Sequence, residues 1–168
     1  MKTIIVLAAH GAPATDYSRG KIGMFMALDT MPRLVNRIGF LQKIKASLER
    51  SVRNWPRTPA NDPYKVGVDV LAERIAAQTG YEVISGYLEF CAPDIGTSIN
   101  EAVGRGAKRI IVATTMTTRG GEHSEVEIRD IVEEAQTRHG TVQILYAWPF
   151  DIDRVARLFA DEIERIFT

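Results

Sequence analysis

The chain has 168 residues, an ordinary globular composition and a formal net charge of zero, with 21 basic and 21 acidic side chains. This length predicts one domain spanning residues 1–168, with a hydrophobic core of its own. The balanced charge gives no support for a nucleic-acid-binding protein, and no apolar run approaches the roughly 20 residues of a membrane span. The single cysteine, Cys91, excludes an internal disulfide framework and favours a reducing, cytoplasmic location.

Strand-like apolar runs alternate with helical patterns along the chain. Strands are predicted at 3–9, 81–90, 108–116 and 141–149. Helices are predicted at 62–80, within 92–107, at 121–140 and at 151–167. The fourfold β-α order predicts an α/β fold, a flavodoxin-like three-layer sandwich whose four-stranded parallel sheet carries helices on both faces.

The helix at 62–80 has clear end signals, because Asp62 is a good N-cap, Pro63 suits the first turn and Gly80 suits the C-cap. Helical spacing predicts an inward apolar stripe on this helix and on the helices at 121–140 and 151–167. The predicted inward residues are Val66, Val70, Leu71, Ile75 and Ala76; Val126, Ile128, Ile131, Val132 and Ala135; and Ile152, Val155, Leu158, Phe159, Ile163 and Ile166.

Residues 15–60 interrupt the alternation, because strand-to-helix loops usually have about 2–6 residues. Apolar residues at helical spacing predict a helix that begins at Pro32 and ends before Pro56. We call residues 15–60 the arm; its part from Lys21 to Arg57 has eight basic and two acidic residues. Three interpretations remain open: a hairpin packed on the domain or on a second copy, a lid whose arginines face an acidic substrate, and a membrane-surface helix.

Two of the three histidines follow strand-like runs. His10 ends the first predicted strand, and His123 comes after the third strand and a pair of glycines. Glu89 lies at the end of the second strand. Ligands of a parallel sheet bind beyond the carboxyl ends of its strands, so these three side chains are expected at one edge. Histidine is the commonest metal ligand and also a base near neutral pH, so the pattern predicts an open metal site with His10 and His123 as ligands. Glu89 is predicted as a third metal ligand, or as a carboxylate that accepts a proton or orients a histidine.

Each candidate also has a structural interpretation. The two histidines can be unrelated polar residues at the sheet edge, and Glu89 can be a solvated charge. The carboxylates of Glu122 and Glu125 are expected to stabilise the N-terminus of the helix at 121–140, and His139 is expected to stabilise its C-terminus. The glycine-rich segments lack the spacing of a phosphate-binding loop, so no nucleotide cofactor is predicted.

Three segments resemble the short-form sirohydrochlorin cobaltochelatases, which are ATP-independent class II tetrapyrrole chelatases. These segments are VLAAHGAPA, GYLEFCAPDIGTSINEAVGRGAKRIIVATTMTTRGGEHSEVEIRDI and YAWPF. The resemblance covers nearly everything except the arm. It implies a chelatase-like fold, a homodimer, and insertion of Co²⁺, or of Fe²⁺ or Ni²⁺, into sirohydrochlorin or a related macrocycle of cobalamin or siroheme biosynthesis. It also implies that His10 and His123 hold the metal and that Glu89 matches a further catalytic glutamate of related chelatases.

The macrocycle carries many carboxylates, so the basic arm is a hypothetical binding surface for it. Candidate substrate-binding residues are Gly11, Gly120, Gly121, Arg33 and Arg37. Two features depart from the family: the arm itself, and TTMTTR where apolar and proline residues are expected. The alternative function is therefore a non-catalytic carrier of a metal or a tetrapyrrole.

Overall fold

Four parallel strands form the centre of the molecule in a computed structural model that describes residues 1–167. The strands are β1 (Thr3–Ala9), β2 (Glu82–Tyr87), β3 (Arg109–Thr114) and β4 (Gln143–Tyr146). The helices are α1 (Arg19–Asp29), α2 (Pro32–Arg37), α3 (Gly39–Arg53), α4 (Pro63–Thr79), α5 (Ile95–Gly104), α6 (Ile128–Arg138) and α7 (Ile152–Phe167). The order β2-β1-β3-β4 is that of a flavodoxin-like sheet. The predicted α/β fold is confirmed.

One face of the sheet carries the main core. Helices α5 and α6 cover it, and alternate residues of every strand point into this layer and are buried. The core residues of this layer are Ile4, Val6, Ala8, Ile84, Ile95, Ile99, Ala102, Ala107, Ile110, Val112, Ile128, Val132, Ala135, Val142 and Ile144. Strand β1 is buried on both faces because it lies between two other strands and between two helical layers.

The opposite face is covered by α4, which packs over β1 and β2. Val68 and Ala72 of α4 contact the cluster around Leu7 and Tyr87. The predicted ends of this helix are confirmed: Asp62 accepts a hydrogen bond from the Lys65 N–H, and a left-handed glycine follows the last turn.

The apolar stripe predicted for α4 is wrong at three of its five positions. Val66, Val70 and Leu71 are exposed, whereas Val68 and Ala72 are buried. The helix carries apolar residues around most of its circumference, so hydropathy alone does not select the face that meets the sheet. Val126, predicted inward on the helix at 121–140, is also exposed.

The stripe predicted for the last helix is wrong as a whole, since α7 buries none of its side chains. Its apolar residues Ile152, Leu158, Phe159, Ile163 and Ile166 are each more than half exposed. The spacing of these residues is correct for an amphipathic helix, but no part of the described chain covers the apolar side.

The arm consists of three helices, not the one predicted between Pro32 and Pro56. Pro32 begins α2 as expected, but Ile38 is extended, with φ −118° and ψ 99°, and separates α2 from α3. Ile38 lies at this break and is exposed. No helix among residues 1–167 is long and apolar enough to cross a membrane.

Candidate active site

The loops after β1 and β2 are joined at the carboxyl edge of the sheet. The Glu89 N–H donates to the His10 carbonyl oxygen at 2.8 Å, which fixes the two loops to each other. Gly11 has φ +92°, and a Cβ built there would lie 2.0 Å from the Glu89 carbonyl oxygen. Only glycine fits this approach, so Gly11 allows the His10 loop to pack against the Glu89 backbone.

The His10 ring is oriented by its own loop. Its Nδ1 lies 2.8 Å from the Gly11 carbonyl oxygen, which can only accept a hydrogen bond, so Nδ1 carries the proton of the neutral ring. Nε2 is therefore the nitrogen with the free lone pair. It lies 3.8 Å from Glu89 Oε2. Both side chains are about one-third exposed, so the imidazole lone pair is accessible from solvent.

His123 is oriented in the same way by a carboxylate. Residues His123–Glu127 form one turn of π-helix ahead of α6, which places Glu127 beside the ring. His123 Nδ1 donates to Glu127 Oε2 at 3.1 Å, which again leaves Nε2 with the free lone pair. The Tyr146 hydroxyl donates to the Ser124 carbonyl oxygen at 2.9 Å and ties this turn to β4. Burial raises the pKa of Tyr146 to about 12, so this hydroxyl remains a donor at neutral pH.

The structure brings the three predicted residues together at one edge. The ring centroids of His10 and His123 are 4.9 Å apart in an edge-to-face arrangement, and Glu89 Oε2 lies 3.8 Å from His10 Nε2. No group of three or more His, Cys, Asp or Glu side chains within residues 1–167 is gathered closely enough to hold a metal ion as it stands. The site therefore offers two free imidazole nitrogens and a nearby carboxylate, in an open arrangement.

An aromatic chain connects the arm to this edge. Phe25 of α1 meets Phe90 edge-on with centroids 6.0 Å apart, and Phe90 lies 6.2 Å from the His10 ring. Between the arm and the edge lies a cleft of about 140 Å³, lined by Phe25, Phe90, Glu89 and Glu127 among others. The arm therefore forms one wall beside the candidate active site.

Two arginines of the arm hold the Glu89 loop through backbone oxygens. Arg53 donates to the carbonyl oxygens of Leu88 and Cys91, at 2.8 Å and 3.2 Å. Arg57 donates to the carbonyl oxygens of Ala12, Val52 and Phe90 and to Asp62 Oδ2. Phe90 has φ +56°, a conformation that a non-glycine residue keeps only where its surroundings impose it.

The predicted substrate-binding residues occupy different places. Gly120 and Gly121 lie in the exposed loop before His123, and the side-chain space at Gly120 is open. Arg33 and Arg37 are exposed on α2. Gly11 lies within the edge, where its structural role is the close approach to Glu89.

Sequence reasoning did not assign a site role to Glu127, Phe90 or Arg57. Glu127 had a usable signal, since a carboxylate four residues after His123 lies on the same side of a helical turn. No sequence signal marks Phe90 or Arg57, because their roles depend on contacts between segments distant in sequence.

The other candidates have structural roles. Burial raises the pKa of the Cys91 thiol, which is 1% exposed, so it is not a reactive thiolate. His139 is the C-cap of α6, and its Nε2 lies 2.8 Å from Asn100 Oδ1.

The CbiX family model matches residues 60–166. The chain belongs to the CbiX family. The family resemblance predicted from the sequence is confirmed, and the chain is a member of a metal-chelatase family. The matched region contains Glu89 and His123; it begins at the last residue of the arm and does not include His10. No curated protein sequence matches the chain significantly.

Among solved structures, the chain is similar to a cobalamin (vitamin B12) biosynthesis CbiX protein from Marinobacter aquaeolei VT8. The TM-score is 0.57 at 17% identity, over 98% of this chain and 97% of that one. It also matches the sirohydrochlorin chelatase SirB from Bacillus subtilis subspecies spizizenii in complex with cobalt. The TM-score is 0.44 at 18% identity, over 87% of this chain and 42% of that one. The third match is SirB from Bacillus subtilis with Fe³⁺. Its TM-score is 0.45 at 16% identity, over 87% of this chain and 39% of that one. This chain spans about two fifths of those SirB chains, and the Marinobacter match supports the fold alone.

Proposed function

We propose that this CbiX-family chain inserts a divalent metal ion into sirohydrochlorin or a related tetrapyrrole, without a nucleotide. The observation that carries the proposal is the pair of histidines. Each has its Nδ1 engaged by a neighbouring oxygen, so both Nε2 lone pairs are free at one open edge beside Glu89. Family membership supports the reaction class.

Metal insertion exchanges one M²⁺ for the two N–H protons of the macrocycle, so the site must release a metal and accept protons. In the proposed mechanism, His10 and His123 hold the incoming metal through Nε2 and release it to the pyrrole nitrogens. One histidine accepts a proton once its metal bond breaks, and Glu89 accepts the other. Glu127 keeps the His123 ring oriented throughout.

The open arrangement suits a metal that must leave. A closed structural site holds its ion with four protein ligands, whereas sites with free positions exchange ligands readily. Imidazole accepts Co²⁺, Fe²⁺ and Ni²⁺, so the ligand type does not select among them. Co²⁺ is the first metal to test, because the family that the sequence resembles is named for cobalt insertion.

The macrocycle is proposed to lie over the edge, between the glycine loop before His123 and the arm. The exposed backbone at Gly120 and Gly121 lets a flat ring approach closely. The exposed cations Arg33 and Arg37 are proposed partners for the peripheral carboxylates.

A homodimer and a cytoplasmic location belong to the same proposal. The family resemblance implies pairing of two short chains, and the exposed apolar residues of α7 leave surface for a partner. The one cysteine, free and buried, fits a reducing compartment.

The test is an absorbance assay with purified protein, sirohydrochlorin and Co²⁺ in the absence of ATP. We expect a rate well above background, which falls by about 100-fold or more in His10→Ala and His123→Ala and is also reduced in Glu89→Gln. His139→Ala is the matched control, because this third histidine contacts Asn100 and takes no part in the site. A native rate no faster than the metal-only reaction would contradict the proposal.

The second candidate is a carrier of a metal or tetrapyrrole, favoured by the departures from the family in the arm and in TTMTTR. A carrier binds the tetrapyrrole or the metal without accelerating insertion of the metal into the tetrapyrrole. Tight binding of either, measured by titration, together with a background rate in the assay would support the carrier.

A further inference from the structure

The arm is a helical hairpin whose two ends differ. Near its base, the Tyr17 hydroxyl, just before α1, donates to Ser51 Oγ near the end of α3, at 3.0 Å. At the other end, the Lys45 ammonium near the start of α3 donates to Asp29 Oδ1 at the end of α1. Helices α1 and α3 therefore run antiparallel, and α2 lies far from the base, where two arginines attach the arm to the site loops. We call residues 30–43 the tip.

The tip exposes large apolar side chains to solvent. Met31, Leu34 and Ile38 are each more than two fifths exposed, and Phe40 is 70% exposed. The buried residue of α2 is Val35. Leu34 lies about 100° around the helix from Val35, so the apolar surface of α2 continues from its buried side onto an open flank.

The charges of the tip are all positive. Arg33, Arg37 and Lys43 are exposed, and none of them forms an ion pair with another part of residues 1–167. No acidic residue lies between Asp29 and Glu49 in the sequence. Those two carboxylates are already engaged by other cations of the arm. The three cations of the tip therefore have their charges available for an external anion.

The apolar and cationic positions follow in order around α2. Arg37 lies about 60° beyond Leu34, and Arg33 lies about 40° further, on the side away from Val35. Helices that lie in a membrane interface have this arrangement, with the apolar side immersed and basic side chains at the level of the headgroups.

We propose that the tip docks on an anionic lipid surface, with its apolar side chains in the interfacial layer and its cations on the lipid phosphates. The inference goes beyond metal insertion and does not rest on it. Arg33 and Arg37 are also the proposed partners of the macrocycle carboxylates. The experiment therefore centres on Lys43 and Phe40, which the proposed function does not use.

The distribution of charge along the chain supports this partner. The segment from Lys21 to Arg57 has eight basic and two acidic residues, which leaves 13 basic and 19 acidic residues elsewhere. The chain as a whole is neutral, so an anionic surface attracts the arm and repels the rest, and the tip is turned towards it. A leaflet with anionic headgroups over hydrocarbon complements the cations and the apolar side chains of the tip together.

The experiment is co-sedimentation of the full chain with vesicles, without metal or tetrapyrrole. Vesicles of phosphatidylcholine alone are compared with vesicles that also contain phosphatidylglycerol. We expect several-fold more binding to the mixed vesicles, and less when salt is added. Lys43→Glu should weaken this binding by about tenfold or more, and Phe40→Ser by about fivefold or more. Lys108→Glu is the matched control, because Lys108 is exposed before β3, at the other edge of the sheet.

A fluorescent label locates the contact. A Phe40→Cys chain is labelled with an environment-sensitive maleimide dye; the native Cys91 is 1% exposed and is protected from the reagent. We expect the emission to shift to shorter wavelength on the mixed vesicles, because the dye enters the interfacial layer. The same dye on Lys108→Cys should not shift. Leu34→Cys is a second labelling position on the tip.

Each contrary outcome has a distinct meaning. Equal binding to both kinds of vesicle, or binding to neither, would overturn the proposal. Binding that neither Lys43→Glu nor Phe40→Ser weakens would assign the contact to another surface and would also overturn it. A dye shift with poly-glutamate but not with vesicles would indicate an acidic protein partner, and a shift with protein concentration alone would indicate a second copy; either result would overturn lipid docking. The metal-insertion assay without vesicles reports separately on the proposed reaction.

Discussion

The arm and α7 are both amphipathic segments outside the α/β core, but they differ in how they are attached. The arm is fixed by directional polar contacts: Arg57 and Arg53 reach backbone oxygens of the Glu89 loop, and Asp16 accepts from Trp55 and Asn61. Helix α7 buries none of its side chains, and most of its apolar residues are more than half exposed.

The difference shows what an amphipathic pattern does and does not predict. Helical spacing of apolar residues predicts that one side avoids water, but not which surface covers it. Arginines likewise look the same in sequence whether they face an acidic ligand or a row of carbonyl oxygens. Two arginines of the basic arm are structural attachments to the site loop, and the substrate role remains proposed for the exposed Arg33 and Arg37.

The largest expected effect is loss of the arm's central attachment. The Arg57 side chain is 10% exposed and its partner Asp62 is 2% exposed. Arg57→Met leaves a buried carboxylate without its charge partner and removes a donor from the carbonyl oxygens of Ala12, Val52 and Phe90. We expect the free energy of unfolding to fall by about 3–5 kcal/mol, measured by urea denaturation.

Arg33→Ala is the matched control, because Arg33 is an exposed arm arginine. We expect it to change the free energy of unfolding by less than about 0.5 kcal/mol. Equal effects of the two substitutions would show that the arm is held by its total charge rather than by the Arg57 contacts.

A substitution on the bare side of α7 should act on assembly and leave the fold of one chain intact. Phe159→Ser removes an apolar group worth about 1.5–3 kcal/mol when buried. We expect the dimer dissociation constant to rise by about 10-fold or more, measured by sedimentation over a dilution series. Asp161→Ser on the polar side should leave it unchanged, and an unaltered dimer in Phe159→Ser would argue against a role for this side.

The sheet and the edge that carries the candidate site could be predicted because they depend on short-range signals. Buried parallel strands read as continuous apolar runs, and helix ends have local markers such as Asp62 and Gly80. Once the strands are known to be parallel, their carboxyl ends must share an edge. That is why His10, His123 and Glu89 could be placed together from the sequence.

The remaining features depend on contacts that no local pattern encodes. The face of α4 that meets the sheet is set by Val68 and Ala72, which are no more apolar than the exposed Val66 and Val70. The attachment of Arg57 to the Phe90 carbonyl joins segments distant in sequence. The tautomers of the two histidines require the positions of the Gly11 and Glu127 oxygens.

A smaller effect is expected where the arm meets the edge through aromatic contact. Phe25 is partly exposed and touches Phe90, so Phe25→Ala should lower the free energy of unfolding by about 1 kcal/mol. It should also make the arm more accessible to limited proteolysis. Met24→Ala, at the exposed neighbouring position, should do neither. Identical proteolysis of the two variants would mean that Phe25 does not hold the arm on the site.

The smallest expected effect is a local response of the arm to acid. The Asn61 side-chain amide, with the Trp55 indole N–H, lowers the pKa of Asp16 below its ordinary value of 3.8. A carboxyl whose pKa is lowered by folding stabilises the folded state above its ordinary value, and this contribution is lost as the pH falls through the lowered pKa. Trp55 fluorescence in a Trp148→Phe chain should therefore change below pH 3.8. The change should be weaker in Asp16→Asn, which does not ionise; an identical acid profile would assign the response to other carboxyls.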